Sequence, residues 1–145
     1  MAIVNYSDIT KGIESILLQH LKGYVITRNE RKNTDPNVCM EAGTGWIGIY
    51  RGPVDYEAHT IGSRPWMASP EPFINLQVVS NLSGDDAEDR LQDAEEEVVN
   101  ALETDRTLNN TVDYVMGYSM DYEYNDLENI YHHGVNIKIK AQVRS

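Results

Sequence analysis

Four histidines, one cysteine and many carboxylates are the residues of this sequence that could carry out chemistry. His132 and His133 are adjacent. Neighbouring residues of a β-strand point to opposite faces, so a regular strand cannot direct both side chains onto one metal ion. We expect both histidines at the surface or at the end of a hairpin. His20 lies on the apolar side of a predicted helix, where we expect it in the core or at its boundary.

The other candidate groups do not complete a site. His59 lies near Asp55 and Glu57, but a metal ion would need a third ligand at suitable spacing, and the sequence supplies none there. Cys39 lies in a polar segment without the local signature of a thiol nucleophile. Residues 43–45 contain two glycines, but no Gly-Lys-Ser/Thr follows them as in a phosphate-binding loop. We therefore expect no catalytic, metal or cofactor site, and we do not expect an enzyme.

Length and composition indicate one globular domain over residues 1–145, with 41% hydrophobic and 24% charged residues. The net charge of −11 disfavours a surface that binds nucleic acid, because phosphate would be repelled. A single cysteine excludes an internal disulfide and suits a reducing compartment. We expect neither a secretion signal nor a membrane span, since no apolar run approaches about 20 residues.

Two segments have the apolar period of amphipathic helices. The first is predicted over residues 8–22, with Ser7 as N-cap and Gly23 in the left-handed position after its C-terminus. The second begins after Ser83, with Asp86 three residues on as an imperfect capping box.

The outer face of the second helix is strongly acidic and includes Glu95 and Glu96. It has no 12-residue loop of alternating oxygen ligands, so calcium binding is not indicated. A solvated face or a surface for a basic partner is the better interpretation.

Strands are predicted over residues 24–28, 46–50 and 73–80 from aromatic, β-branched and alternating residues. After the second helix, and a turn at Asn109 and Asn110, a short strand or extended stretch is expected over 111–116.

Two alternating runs then follow, 118–124 and 135–143. They are expected to form an antiparallel pair closed by residues 125–129. That pairing would place Asp121 and Glu123 near Lys138 and Lys140.

The resulting element order is α-β-β-β-α-β-β. It predicts an α+β fold with a single antiparallel or mixed sheet and both helices packed on one face. A doubly wound sheet is excluded because strands and helices do not alternate.

The segment 51–72 contains four of the five prolines and is expected to form a long loop or an extended hairpin. It also contains the large side chains of Tyr56, Ile61, Trp66 and Met67. These either fold back on the domain or insert into a partner, and both interpretations stay open.

Several stretches resemble the tail terminator, or tail completion, proteins of long-tailed bacteriophages. They are WIGIYRGPVDYE at 46–57, FINLQVV at 73–79, SGDDAEDRL at 83–91, DRTL at 105–108 and TVD at 111–113, followed by a closing alternating strand. The length, the opening helix and the order of elements agree as well, so the resemblance covers nearly the whole chain.

The resemblance implies an α+β subunit of a ring, typically of six copies, that caps the finished tail tube and ends its polymerisation. It implies contacts with the tube protein and with neck proteins, and a genome that passes through the lumen without specific binding. It also implies a location in the virion after synthesis in the host cytoplasm.

A ring needs two different complementary patches on each subunit. Our candidates are the segment 51–72, through Tyr56, Trp66 and Met67, and the acidic helix, through Glu95 and Glu96. Two other classes remain open. One is another head–tail connector, such as a head-closure or tail-tube subunit. The other is a small α+β enzyme or ligand-binding domain, which would show a deep pocket with convergent polar groups.

Overall fold

Residues 4–29, 45–60, 63–127 and 130–144 are described by the computed structural model of the chain. Within them the chain forms two helices and seven strands, in the order α1 (Tyr6–His20), β1 (Tyr24–Arg28), β2 (Gly45–Tyr50), β3 (Val54–Thr60), β4 (Ser63–Pro70), β5 (Phe73–Ser80), α2 (Gly84–Glu103), β6 (Tyr114–Leu127) and β7 (Ile130–Arg144). The predicted strands 24–28 and 73–80 are confirmed with the same limits.

All seven strands belong to one mixed sheet. β1 runs parallel to β2, and every other neighbouring pair is antiparallel. β7 pairs with β6 along one side and, along its other side, first with β5 and then with β4 near its C-terminal end. The predicted α+β class with a mixed sheet is therefore confirmed.

The segment 51–72 forms an extended hairpin, which is one of its two predicted forms. Its two strands, β3 and β4, are the elements that the predicted order lacks. They form a hairpin in which Val54 pairs with Pro70 and Glu57 pairs with Met67. Proline is compatible with this sheet because Pro53 and Pro72 lie outside the strands, Pro70 ends one, and Pro65 lies where the β3–β4 register is irregular. The observed order is thus α-β-β-β-β-β-α-β-β.

The hairpin continues the two strands that flank it. β3 follows β2 after three residues, and β5 follows β4 after two, so that β2–β3 and β4–β5 form one long antiparallel pair with a break in the middle. Glu71 N–H donates to the carbonyl oxygen of Pro53 across the break at 3.0 Å. This break is called the hairpin bend below.

Helix α1 begins at Tyr6, two residues before the predicted start. Its N-cap is Asn5 rather than Ser7, since the Asn5 Oδ1 accepts the backbone N–H of Asp8 at 3.2 Å. Asn and Ser are similarly good caps, so local preference does not choose between them. The helix ends at His20, and Gly23 takes the left-handed conformation, with φ of 84°, in the turn into β1.

Helix α2 begins as predicted, with Ser83 Oγ accepting the Asp86 backbone N–H at 3.0 Å. The capping box is not formed, because the Asp86 carboxylate instead accepts the Ser80 hydroxyl at 2.6 Å and pairs with Arg90 at 2.9 Å. The hydrogen bond from Ser80 to Asp86 therefore connects the first turn of α2 to the end of β5.

The predicted extended stretch 111–116 and the alternating run 118–124 fall largely within one long strand, β6. The register shifts between Val115 and Gly117, so Met116 is an extra residue in a β-bulge that interrupts the alternation of side chains. The turn predicted at Asn109 and Asn110 is confirmed, since both have left-handed backbones with φ of 61° and 63°.

Both helices cover the same face of the sheet, which is called the inner face; the opposite face is the outer face. The core between the layers contains fully or nearly buried aliphatic residues: Ile9, Ile13, Ile16 and Leu17 of α1, Leu91, Ala94, Val98 and Leu102 of α2, and Ile47, Ile49, Ile74, Leu76, Val135 and Ile137 of the sheet. Burial of each large aliphatic side chain stabilises the fold by roughly 1.5–3 kcal/mol.

Candidate assembly surfaces

The adjacent histidines of β7 are buried, so the prediction that they lie at the surface is wrong. His132 is 7% exposed and His133 is 6% exposed. The reason is that β7 lies between β5 and β6 at these positions. The two side chains do point to opposite faces. His133 approaches Glu88 of α2, with 3.0 Å between Nδ1 and Oε2, and His132 points to the outer face.

His20 is exposed, contrary to the expected packing, because the helix ends there and Leu21 has already turned into extended backbone. Its Nε2 lies 3.2 Å from the hydroxyl of Thr104. Asp55 and Glu57 are exposed on β3; the side chain of His59, on the same strand, lies outside the described part, as do residues 43 and 44 and Cys39. Within the described residues no three histidine, cysteine or acidic side chains converge as metal ligands.

A chain of hydrogen bonds crosses the outer face between β5 and β7. Because an amide oxygen can only accept, His132 donates from Nε2 to Gln77 Oε1 at 2.6 Å. Gln77 then donates to Asn75, and Asn75 to Asn136, each at 2.7 Å. Burial and the neighbouring His133 lower the pKa of His132, which favours its neutral form. These bonds help to define the register of the two strands.

Two tyrosines attach α2 to opposite ends of the sheet. The Tyr24 hydroxyl on β1 donates to Glu97, and the Tyr122 hydroxyl on β6 donates to Glu95, both at 2.7 Å. The hydrogen bond to the Glu95 carboxylate raises the pKa of Tyr122 to about 12. Glu95, one of the predicted interface residues, thus already has a partner within the chain.

The remaining exposed acids of α2 form one line along the helix, which is called the acidic stripe: Asp85, Asp89, Asp93 and Glu96. Their spacings of four, four and three residues place them on one face of the helix. The acids beside them are engaged within the chain: Glu88 contacts His133, and Glu103 pairs with Arg106. The predicted interface residue Glu96 belongs to the stripe.

A row of cations lies on the outer face of β7 and is called the basic row: Lys138, Lys140 and Arg144. All three are exposed. The predicted proximity of these lysines to Asp121 and Glu123 of β6 is confirmed only in part. Lys138 Nζ lies 3.7 Å from Asp121, whereas Lys140 is opposite Gly117 and Glu123 is opposite Gly134.

Strand β6 carries exposed aromatic and sulfur side chains, Tyr114, Met116, Tyr122 and Tyr124. Among the described strands β6 pairs with β7 alone, so much of its other edge is open to a partner. Next to this edge, Val99, Met120 and Tyr122 line an open groove of about 390 Å³ between α2 and β6. Apolar side chains beside an open strand edge are typical of a protein contact surface.

The predicted interface residues of the hairpin differ in their environments. Tyr56 on β3 is 46% exposed. Met67 on β4 is half-buried, and its Sδ accepts the side-chain N–H of Gln142 at 2.7 Å. Trp66 pairs with Ala58 across the hairpin, and its side chain lies outside the described part.

Tyr6 holds the hairpin bend, a role that sequence reasoning missed. Its hydroxyl donates to the Pro53 carbonyl at 2.8 Å and accepts the Glu71 backbone N–H at 3.2 Å. The guanidinium of Arg51 lies 5.9 Å from the centre of its ring. The one signal available was a tyrosine beside the N-cap and outside the apolar stripe of the helix.

No protein-family model matches this chain, and no curated protein is similar to it in sequence. Neither of the two described helices has the length and apolar composition needed to cross a membrane.

Proposed function

We propose that this chain is a structural subunit that assembles with copies of itself into a ring of six, and that the ring caps the tail tube of a long-tailed bacteriophage. In this role it ends tube polymerisation and presents a surface to the neck of the filled head. Its partners are the tube protein and the neck proteins, and its place is the virion after synthesis in the host cytoplasm. It is not an enzyme and needs no cofactor.

The observation that carries this proposal is the presence of two unlike exposed surfaces on the two sides of one domain. The acidic stripe lies on the helix layer, and the basic row lies on the outer face of the sheet. A closed ring is built from heterologous contacts, in which one surface of each subunit meets a different surface of the next. A domain with two such surfaces has what ring assembly requires.

The charge of the chain also suits a pore that DNA traverses. The net charge of −11 repels phosphate, so a genome can pass without being held. This supports passage without specific binding, which the resemblance implies.

Light scattering behind size exclusion, with negative-stain images of the peak, tests the proposal. Six copies of the 16.4 kDa chain give a particle of about 98 kDa, and we expect a ring with a central hole. Long tubes would instead favour a tail-tube subunit. A chain that remains a monomer at high concentration and does not bind the ends of purified tail tubes would refute the proposal.

The hairpin can be tested separately as an assembly element through Tyr56, Trp66 and Met67. Replacing residues 58–66 by Asn-Gly joins Glu57 to its partner Met67 across a two-residue turn and leaves the buried Ala68 in place. We expect a folded protein with impaired assembly. A matched control is Leu18→Gln, which removes an exposed apolar group of α1 outside the hairpin. Normal assembly of the shortened variant would exclude the outer part of the hairpin, residues 58–66 with Trp66, from the interface.

A further inference from the structure

We propose that the contact between neighbouring subunits pairs the acidic stripe of one copy with the basic row of the next. This inference rests on the proposed function, because it specifies the contact that closes the ring. The occupant of the outer sheet face at β7 is thus a second copy of this chain, seated through the exposed face of α2.

The two charged lines match in length and spacing. The acidic stripe runs from Asp85 to Glu96, which at 1.5 Å per residue is about 16 Å. The basic row runs from Lys138 to Arg144, which at about 3.3 Å per residue is about 20 Å. Charges along the helix recur every ~6 Å and those of Lys138 and Lys140 every ~7 Å, so several can pair at once.

The positions of the two lines fit a head-to-tail contact. The buried side of α2 packs against the inner face of the sheet, so the stripe points away from the domain on that side. Alternate residues of β7 point to the outer face, so the row points away on the other side. Each contact joins the helix side of one subunit to the sheet side of the next. An open row of subunits therefore has one free helix side and one free sheet side at its two ends, and these meet when the ring closes.

Partners within the chain leave most of both lines available. Lys138 is partly neutralised by Asp121 at 3.7 Å, and Asp113 lies near Arg144, whose backbone N–H it accepts at 2.7 Å. Three cations therefore face two nearby carboxylates, while a neighbouring stripe would bring four more.

Apolar groups on the same face would assist the docking. Phe73 is the strand partner of Lys138 and stacks on Tyr50, and exposed Tyr114 is the partner of Gln142. Partial exclusion of water by these rings would strengthen the ion pairs beside them.

Charge reversal with complementation tests the pairing. One variant carries Lys140→Glu and Arg144→Glu, and the other carries Asp89→Lys and Asp93→Lys. Each should weaken self-association at least about tenfold, measured by sedimentation velocity at low ionic strength. Circular dichroism establishes that both variants are folded.

The mixture of the two variants is the decisive sample. Copies of a single variant would bring like charges into contact. When the two variants alternate around a ring, every contact joins opposite charges. A 1:1 mixture should therefore recover wild-type association, in particles with an even number of subunits. The control carries Lys11→Glu and Lys22→Glu, which has the same net charge as the first variant but changes exposed lysines on and just after α1. It should associate like the wild type.

Different outcomes of these experiments would overturn the proposed pairing and the proposed function. Rings that form regardless of the reversals, a mixture that does not recover, or a wild-type chain that stays monomeric at about 1 mM in low salt would each overturn the pairing. Recovery of charge-dependent association in particles that are not closed rings would support the pairing and overturn the proposed function.

Discussion

Replacement of Tyr6 by Phe isolates the contribution of one hydroxyl group to the hairpin bend. That hydroxyl donates to Pro53 and accepts from Glu71, so the variant loses two hydrogen bonds while the ring stays in place. Glu71 N–H also donates to Pro53 O at 3.0 Å, so each group keeps one partner after the change. The loss is therefore that of two ordinary hydrogen bonds with no orphaned group.

The expected loss in the free energy of unfolding is about 1–1.5 kcal/mol, at the low end for two net hydrogen bonds. For a chain of 145 residues this corresponds to a decrease in Tm of roughly 3–5 °C. Urea unfolding followed by circular dichroism measures the first quantity, and thermal unfolding measures the second.

The control is Tyr56→Phe, since Tyr56 is half exposed and lies on the hairpin itself. We expect a change within about 0.5 kcal/mol for this variant. If Tyr6→Phe were as stable as the control, the hydroxyl would not hold the bend, and the position of the hairpin would have to depend on the β4–β7 pairing instead.

Three further predictions concern local structure and pH. Ser83→Ala removes the acceptor for the Asp86 N–H and should lower the free energy of unfolding by about 1 kcal/mol in urea titrations, whereas an unchanged midpoint would contradict the capping role. Gly52→Ala would drive a Cβ into the Glu71 carbonyl, so we expect a loss of about 1–3 kcal/mol in the same assay, and wild-type stability would show that the bend opens easily. The pKa of His132 is lowered on folding, so its contribution to stability is complete above the unfolded value of about 6.5 and is lost as the pH falls below it. His132→Gln should therefore lose less stability than the wild type between about pH 7.5 and pH 5, and equal losses would mean that this histidine does not report the transition.

The N-terminus of α2 and the limits of β5 could be predicted from the sequence because their determinants are local. The apolar stripe through Leu91 and Val98 has the helical period, and Ser83 precedes it at the capping position. In β5 the alternation of Ile74, Leu76 and Val78 with Asn75 and Gln77 is enough to define a strand.

The sequence left segment 51–72 open between a loop and a hairpin, and it did not predict the bulge in β6. Proline weakens the strand signal of β3 and β4, and only pairing with each other and with β7 makes these residues a sheet. Met116 interrupts the alternation in β6, so that one strand has the pattern of two.

For the charged surfaces, too, some features follow from the sequence and others from the tertiary structure alone. The sequence by itself determined that α2 has a strongly acidic outer face and that Lys138 and Lys140 share one side of the last strand, because helix and strand periods decide which residues face together. Only the tertiary structure decided that Glu95 is held by Tyr122, that Asp89 and Asp93 stay exposed, and that the adjacent histidines are buried. Those outcomes depend on pairing between residues distant in the chain, which no local period encodes.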